Sequence, residues 1–200
     1  MKKIILMMAL VVVFVAVNAS AQDGVTFGLR GGLNLSKQTV SIGDHSASSD
    51  TLAGFHVGAI ADIKFNDAFY FQPGVMLSTK GAKSGDDKTT LYNLEVPLMF
   101  SGKISVADDV AVRINAGPYI GFGLFGSDEA YGDGGYKRFD GGIGFGGGVE
   151  FSKYYIGVNY NLGLVNLAPD SLVDSMKDFF EVNDFKIKNR TVAITFGYNF

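Results

Sequence analysis

The chain contains no cysteine and no tryptophan, and only two histidines and four prolines among 200 residues. Without cysteine an exported chain has no disulfide framework, so its stability has to come from packing or from a bilayer. Two histidines with no ligand spacing around them argue against a metal centre. Positive charge is also scarce, with 17 Lys and Arg against 20 Asp and Glu, which argues against a nucleic-acid partner. Past residue 17 no apolar run is long enough for a membrane helix. What the chain has instead is 27 glycines, 17 phenylalanines and 9 tyrosines. Glycine and aromatics rise together in closed β structures.

The N-terminus has its own pattern. Lys2 and Lys3 precede an apolar stretch from Ile4 to Val17, followed by Asn18-Ala19-Ser20-Ala21 before Gln22. This is a signal peptide over residues 1–21 with an A-x-A cleavage site, because the apolar run falls short of a span and no stop-transfer charges follow. The absence of cysteine there excludes a lipid-anchored terminus. Cleavage removes two lysines and leaves 15 basic against 20 acidic residues, a formal charge of −5 on one domain over 22–200.

Across that domain apolar residues alternate with polar ones or glycine, the period of a strand with two different faces. The alternation predicts eight strands, over 25–36, 54–65, 68–78, 92–101, 110–122, 139–151, 154–164 and 191–200. In the first, Val25, Phe27, Leu29, Leu33 and Leu35 oppose Thr26, Arg30, Asn34 and Ser36; in the last, Val192, Ile194, Phe196, Tyr198 and Phe200 oppose Thr191, Ala193, Thr195, Gly197 and Asn199. Strands of about 9 to 11 residues suit a tilted membrane crossing, whereas soluble sandwiches use about five or six.

The connections alternate too. Residues 66–67, 103–109 and 152–153 are short, whereas 37–51, 80–88, 125–138 and 166–189 are long and polar. Short periplasmic turns, long external loops and an even strand number give an all-β, eight-stranded antiparallel up-and-down transmembrane β-barrel. Hydrocarbon offers no partner to backbone N–H and C=O groups, so strands cross it only when the sheet closes. The apolar face then meets outer-membrane lipid, and the polar face fills a lumen just wide enough for side chains. Aromatics from Phe27 and Phe65 to Tyr154 and Phe200 fall at one rim as a girdle. The glycines inward on the sixth strand make room for Tyr119, Tyr155, Arg30 or Arg113. No separate peptidoglycan-binding domain is expected after the last strand.

Leu94-Glu95-Val96-Pro97-Leu98, Ala116-Gly117-Pro118-Tyr119, Phe139-Asp140 leading into Gly146-Gly147-Gly148-Val149-Glu150, and Asn189-Arg190 form a further set of marks. On these residues the chain resembles the PorT-like outer-membrane β-barrel domain family of the Bacteroidetes over nearly its whole mature length. Phe196, Tyr198 and Phe200 resemble the signal read by the barrel-assembly machinery. The resemblance implies the outer membrane of a Gram-negative cell as location, no shared enzymatic activity, no cofactor, and in some members a role in protein secretion.

Within the lumen, Arg30, Lys64 and Arg113 face Asp62, Glu95, Asp140 and Glu150, with His56 among them as a hydrogen-bonding group. Lone charges there are costly, so pairs are expected, and Arg30, Glu95 and Arg113 are read as one cluster plugging the barrel. Asp44-His45-Ser46 has the residue types of a hydrolase triad, but neighbours on a loop rarely meet in the required geometry. The Gly141–Gly148 run lies in a strand, lacks the lysine of a phosphate loop and opens no helix. Pro169-Asp170-Ser171 precedes Leu172, Met176, Phe179 and Phe180 at helical spacing, with Ser171 and Asp174 as a capping box. That helix either packs on the rim or presents an apolar face to a protein partner.

The expectation is an integral outer-membrane barrel, non-enzymatic, with a structural or interaction role. A narrow porin-like channel for small solutes is the main alternative, and a barrel enzyme the third.

Overall fold

The computed structural model describes residues 24–43, 45–127, 130–131, 135–180 and 185–200, with the backbone alone for 178–180. The N-terminal segment assigned above to a signal peptide lies outside the described residues, as does Asp44. The strands are β1 (Val25–Ile42), β2 (His45–Ser48), β3 (Leu52–Lys64), β4 (Phe69–Ser84), β5 (Asp87–Ala107), β6 (Val110–Gly126), β7 (Phe139–Phe151), β8 (Tyr154–Gly163) and β9 (Phe185–Asn199). Among the described residues one helix, α1 (Asp170–Phe180), precedes β9.

Eight of these strands, β1 and β3 to β9, pair antiparallel in sequence order, and β9 pairs back onto β1 from Gly28↔Asn199 to Ile42↔Phe185. The ring therefore has no open edge. The remaining strand, β2, folds back on the end of β1 through Thr39↔Ser48 to Ile42↔His45.

Burial is inverted relative to a protein in water. Leu33 is 58% exposed and Ile114 60%, whereas Lys80 is 1% exposed and Arg113 3%. Within the belt the mainly apolar side of each zigzag points out and the mainly polar side fills the interior, with Ile60, Met76 and Met99 as apolar residues on the inner face. Leaving one large apolar side chain in water forgoes about 1.5–3 kcal/mol. A belt of such residues around the whole ring therefore requires a hydrocarbon solvent.

Several boundaries differ from the sequence reading. Residues 80–88 are a hairpin rather than a loop, with β4 running to Ser84 and a turn at Gly85, whose φ is 60°, before β5 starts at Asp87. Likewise β1 continues to Ile42 and β9 begins at Phe185, so residues 37–42 and 185–189 are strand rather than loop. The segment 103–109 is strand except for Asp108-Asp109. Outside hydrocarbon a paired strand needs no apolar face, so polar residues carry on the ladder and the alternation that marks a strand disappears.

At the opposite rim the turns are tight. Asn66 Oδ1 accepts from the N–H of Ala68 and of Phe69 at 2.9 Å each, and Lys64 pairs with Asp67. Ser152, at φ 51°, turns β7 into β8.

Candidate functional site

The lumen is filled in layers, and each layer follows from which residues the register brings to the same height. Nearest the rim of short turns, Arg113 on β6 donates from Nε to Glu150 Oε2 at 2.6 Å and from Nη1 to Asp62 Oδ1 at 2.9 Å. Glu150 Oε1 also receives Lys103 Nζ at 3.2 Å and Asn199 Nδ2 at 3.1 Å. Asn199 Oδ1 in turn accepts from Arg30 Nη2 at 2.8 Å. Both guanidinium groups lie over aromatic rings, Arg30 over Tyr155 at 4.8 Å and Arg113 over Tyr70 at 4.9 Å. Strands β1, β3, β5, β6, β7 and β9 are thus tied by one network.

Higher in the barrel sits a second network around Lys80 of β4. Its ammonium lies 2.8 Å from Glu95 Oε1 and 3.2 Å from Asp140 Oδ2, over the ring of Tyr119 at 4.3 Å. Asp140 is further held by Asn189 Nδ2 at 3.1 Å and by the N–H of Gly141 at 2.8 Å.

Between the networks a cavity of about 120 Å³ is lined by Asn34, His56, Gln72, Met76, Tyr155 and Thr195 among others. His56 bridges Asn34 Oδ1 at 2.8 Å and Thr195 Oγ1 at 3.1 Å, while Asn34 Nδ2 donates to Ser78 Oγ at 2.9 Å. His56 is therefore the lumen hydrogen-bonding group that the sequence suggested. A site of this polarity and volume suits several waters.

The expected cluster of Arg30, Glu95 and Arg113 requires a correction. All three are buried in the lumen, but only the two arginines share a network. Glu95 lies across from Gly121, whereas Arg113 lies across from Lys103, eight positions along β5. At a rise of about 3.3 Å per residue the two levels are roughly 26 Å apart along the strand. Glu95 pairs with Lys80 instead, a residue that sequence reading left in a loop because polar character continues around it. Lys64, expected inward, is exposed at the rim beside Asp67.

Glycines on β7 do make room for large neighbours. A Cβ on Gly148 would stand 2.7 Å from Tyr155 Cζ, one on Gly142 2.9 Å from Tyr119 Cε1, and one on Gly144 2.6 Å from Asn161 Oδ1. Arg30 is accommodated elsewhere, against Gly28 and Gly197.

The mouth on the side of the long connections is closed by apolar packing. Leu167, Ala168, Phe185 and Ile187 form a buried cluster, and Leu172, Val173 and Met176 of α1 pack on it with Val40 and Tyr136. Leu172 and Met176, candidates for a partner-facing surface, are thus turned onto the rim. The side chains of Phe179 and Phe180 lie outside the described residues. Ser171 is inside the first turn of α1 rather than capping it, and Pro169 O accepts the N–H of Leu172 and of Val173. Tyr131 Oη donates to Asn93 Oδ1 at 2.7 Å and Tyr136 Oη to Gln38 Oε1 at 3.0 Å. Burial holds both phenols above their ordinary range, so they remain donors into alkaline solution.

Of the Asp44-His45-Ser46 run, His45 and Ser46 are consecutive exposed residues of β2, whose side chains therefore point to opposite faces. Phe196 and Phe200 are exposed on the apolar belt, and Tyr198 packs edge-on against Tyr154 and Phe200. The N–H of Phe200 donates to Phe27 O at 2.9 Å, next to the β1–β9 seam.

The family comparison agrees with this architecture. A family model described as "Outer membrane protein beta-barrel domain" matches residues 20–168. No curated protein matches the chain. Among solved structures it is similar to Ail, the attachment invasion locus protein of Yersinia pestis, at 12% identity and a TM-score of 0.45, covering 90% of this chain and 100% of that one. Neisserial surface protein A aligns at 16% identity and 0.45, over 89% and 100%. OprG from Pseudomonas aeruginosa aligns at 13% and 0.45, over 88% and 95%.

Proposed function

Because this chain belongs to the outer membrane protein beta-barrel domain family, we propose that it is a closed, non-enzymatic barrel of the outer membrane with a structural or interaction role. The observation that carries this reading is the sequence of seals along the lumen. The Arg113–Glu150–Asp62 network, the Lys80–Glu95–Asp140 network and the apolar cluster under α1 all obstruct one narrow tube. An ion crossing it would have to separate both sets of buried pairs, and breaking one such pair costs about 3–5 kcal/mol. The long-strand rim is placed outside the cell and the tight-turn rim in the periplasm, as the asymmetry of the connections supports.

Within this reading the chain is exported by a cleaved signal peptide and inserted by the barrel-assembly machinery through Phe196, Tyr198 and Phe200. The PorT-like resemblance adds a finer version, in which the external hairpins engage a protein partner and assist secretion. Mild crosslinking in native membranes followed by copurification tests that version; recovery of the barrel alone removes it.

The narrow-channel alternative draws on the cavity between the networks. Planar-bilayer recordings of the refolded protein separate the two. The closed reading expects no conductance above the empty bilayer, and a steady open level overturns it.

A further inference from the structure

Beyond the apolar belt, β1 and β9 carry a second pattern on their outward faces. On β9, Phe196, Ile194 and Val192 are followed by Arg190, Lys188 and Lys186; on β1, Leu33 and Leu35 are followed by Lys37. The register places Lys37 directly across from Arg190, one step past the Leu35↔Val192 pair, and Thr39 across from Lys188. Lys37 and Arg190 are exposed and Lys188 half-exposed. Among the described residues, Lys37, Lys188 and Arg190 have no ion pair. The neighbour across from Arg190 on its other side is Leu162 of β8.

Like charges set directly opposite in a ladder destabilise it. An anion seated between them reverses the sign, and an arginine fork fits the oxygens of a phosphate. The position names the anion's carrier. One outward step along a strand is roughly 6.6 Å, so these cations begin where the acyl-facing residues of β1 and β9 stop, at the depth of a lipid headgroup. A soluble anion would need no apolar wall beneath it, whereas a lipid lays its chains on Leu33, Leu35, Val192 and Ile194.

We infer that Lys37, Lys188 and Arg190 form a binding site for the phosphate of an outer-leaflet lipid on the β1–β9 face. This rests on the membrane placement and orientation proposed above. The site lies over the seam that closes the barrel, so a bound lipid would clamp the first and last strands together.

The test uses the folded protein in a neutral detergent and native mass spectrometry, with lipid A, phosphatidylcholine and inorganic phosphate as separate probes. The wild type is expected to retain one lipid A, to release phosphatidylcholine, and to keep lipid A against excess inorganic phosphate. Lys37→Gln with Arg190→Gln should weaken lipid A retention by at least about tenfold, with Lys188→Gln as a single milder variant. Heat-dependent gel migration verifies that each variant is folded. Equal retention by wild type and both variants overturns the site, and displacement by inorganic phosphate overturns its assignment to a lipid. A protein that is monomeric in water without detergent would instead defeat the membrane reading itself, which keeps the two failures apart.

Discussion

Lys80 Nζ stands 2.8 Å from Glu95 Oε1 at a point where the lysine is 1% exposed, and the same ammonium serves Asp140 at 3.2 Å. One buried cation faces two buried carboxylates. Asp140 also accepts from Asn189 Nδ2 and the N–H of Gly141. Hydrogen bonds thus support Asp140 beside its ion pair, whereas Glu95 is held by the charge of Lys80, so both carboxylates depend on the lysine.

Lys80→Met should therefore lower unfolding stability by about 3–5 kcal/mol, because it strands two carboxylates in the lumen. Adding Glu95→Gln and Asp140→Asn should restore much of that loss, since the stranded charges then disappear. Urea unfolding in phospholipid vesicles, followed by far-UV circular dichroism, measures both. A single variant as stable as the wild type would show that the pair contributes nothing.

Two glycines that look alike in sequence should behave differently. A Cβ on Gly146 would fall 2.7 Å from Asn159 Cα inside the lumen, so Gly146→Ala is expected to cost about 1–3 kcal/mol through overpacking. At Gly102 the nearest atom to a new Cβ is Ile114 Cγ1 at 3.4 Å, so Gly102→Ala should stay within about 0.5 kcal/mol of neutral. The same urea titrations compare them, and equal effects would mean that lumen crowding is not what keeps Gly146.

The apolar closure of the outer mouth should open locally without loss of the barrel. Leu167 is 2% exposed in the cluster beneath α1, and Leu167→Ala removes about 2–4 kcal/mol of packing there. Trypsin should then cut at Lys177 on α1 while heat-modifiable migration of the barrel persists. Unchanged protection of Lys177 would mean that α1 is held by something other than this cluster.

Much of this was legible in the residues. The zigzag of Phe27, Leu29, Leu33 and Leu35 against Arg30, Asn34 and Ser36 distinguished the face that meets lipid from the face that fills the lumen. β7 has the bounds its alternation predicted, Phe139–Phe151, because it lies within the apolar belt. The reading failed where hydrocarbon ends. Lys80 and Lys88 lie on strand ends that are polar on both faces, where periodicity carries no signal, and at Lys186 the alternation of Phe185 and Ile187 with lysines is inverted, its apolar side turned inward under α1.

Glu95, Asp140, Glu150 and Asn189 stood within the motif segments of the family resemblance, yet their partners were hidden. Alternation fixes which side of the wall a residue occupies, but not its height relative to residues on other strands.

From the order of its residues alone the chain determined that it closes a ring, turns its greasy side outward and buries its charges, since the two-residue period and the solvent leave no other arrangement. Only the tertiary structure decided which charges meet, because partners are chosen by inter-strand register and by side chains reaching across the tube. Those distances, such as the one that separates Glu95 from Arg113 and delivers it to Lys80, are written in no local stretch of sequence.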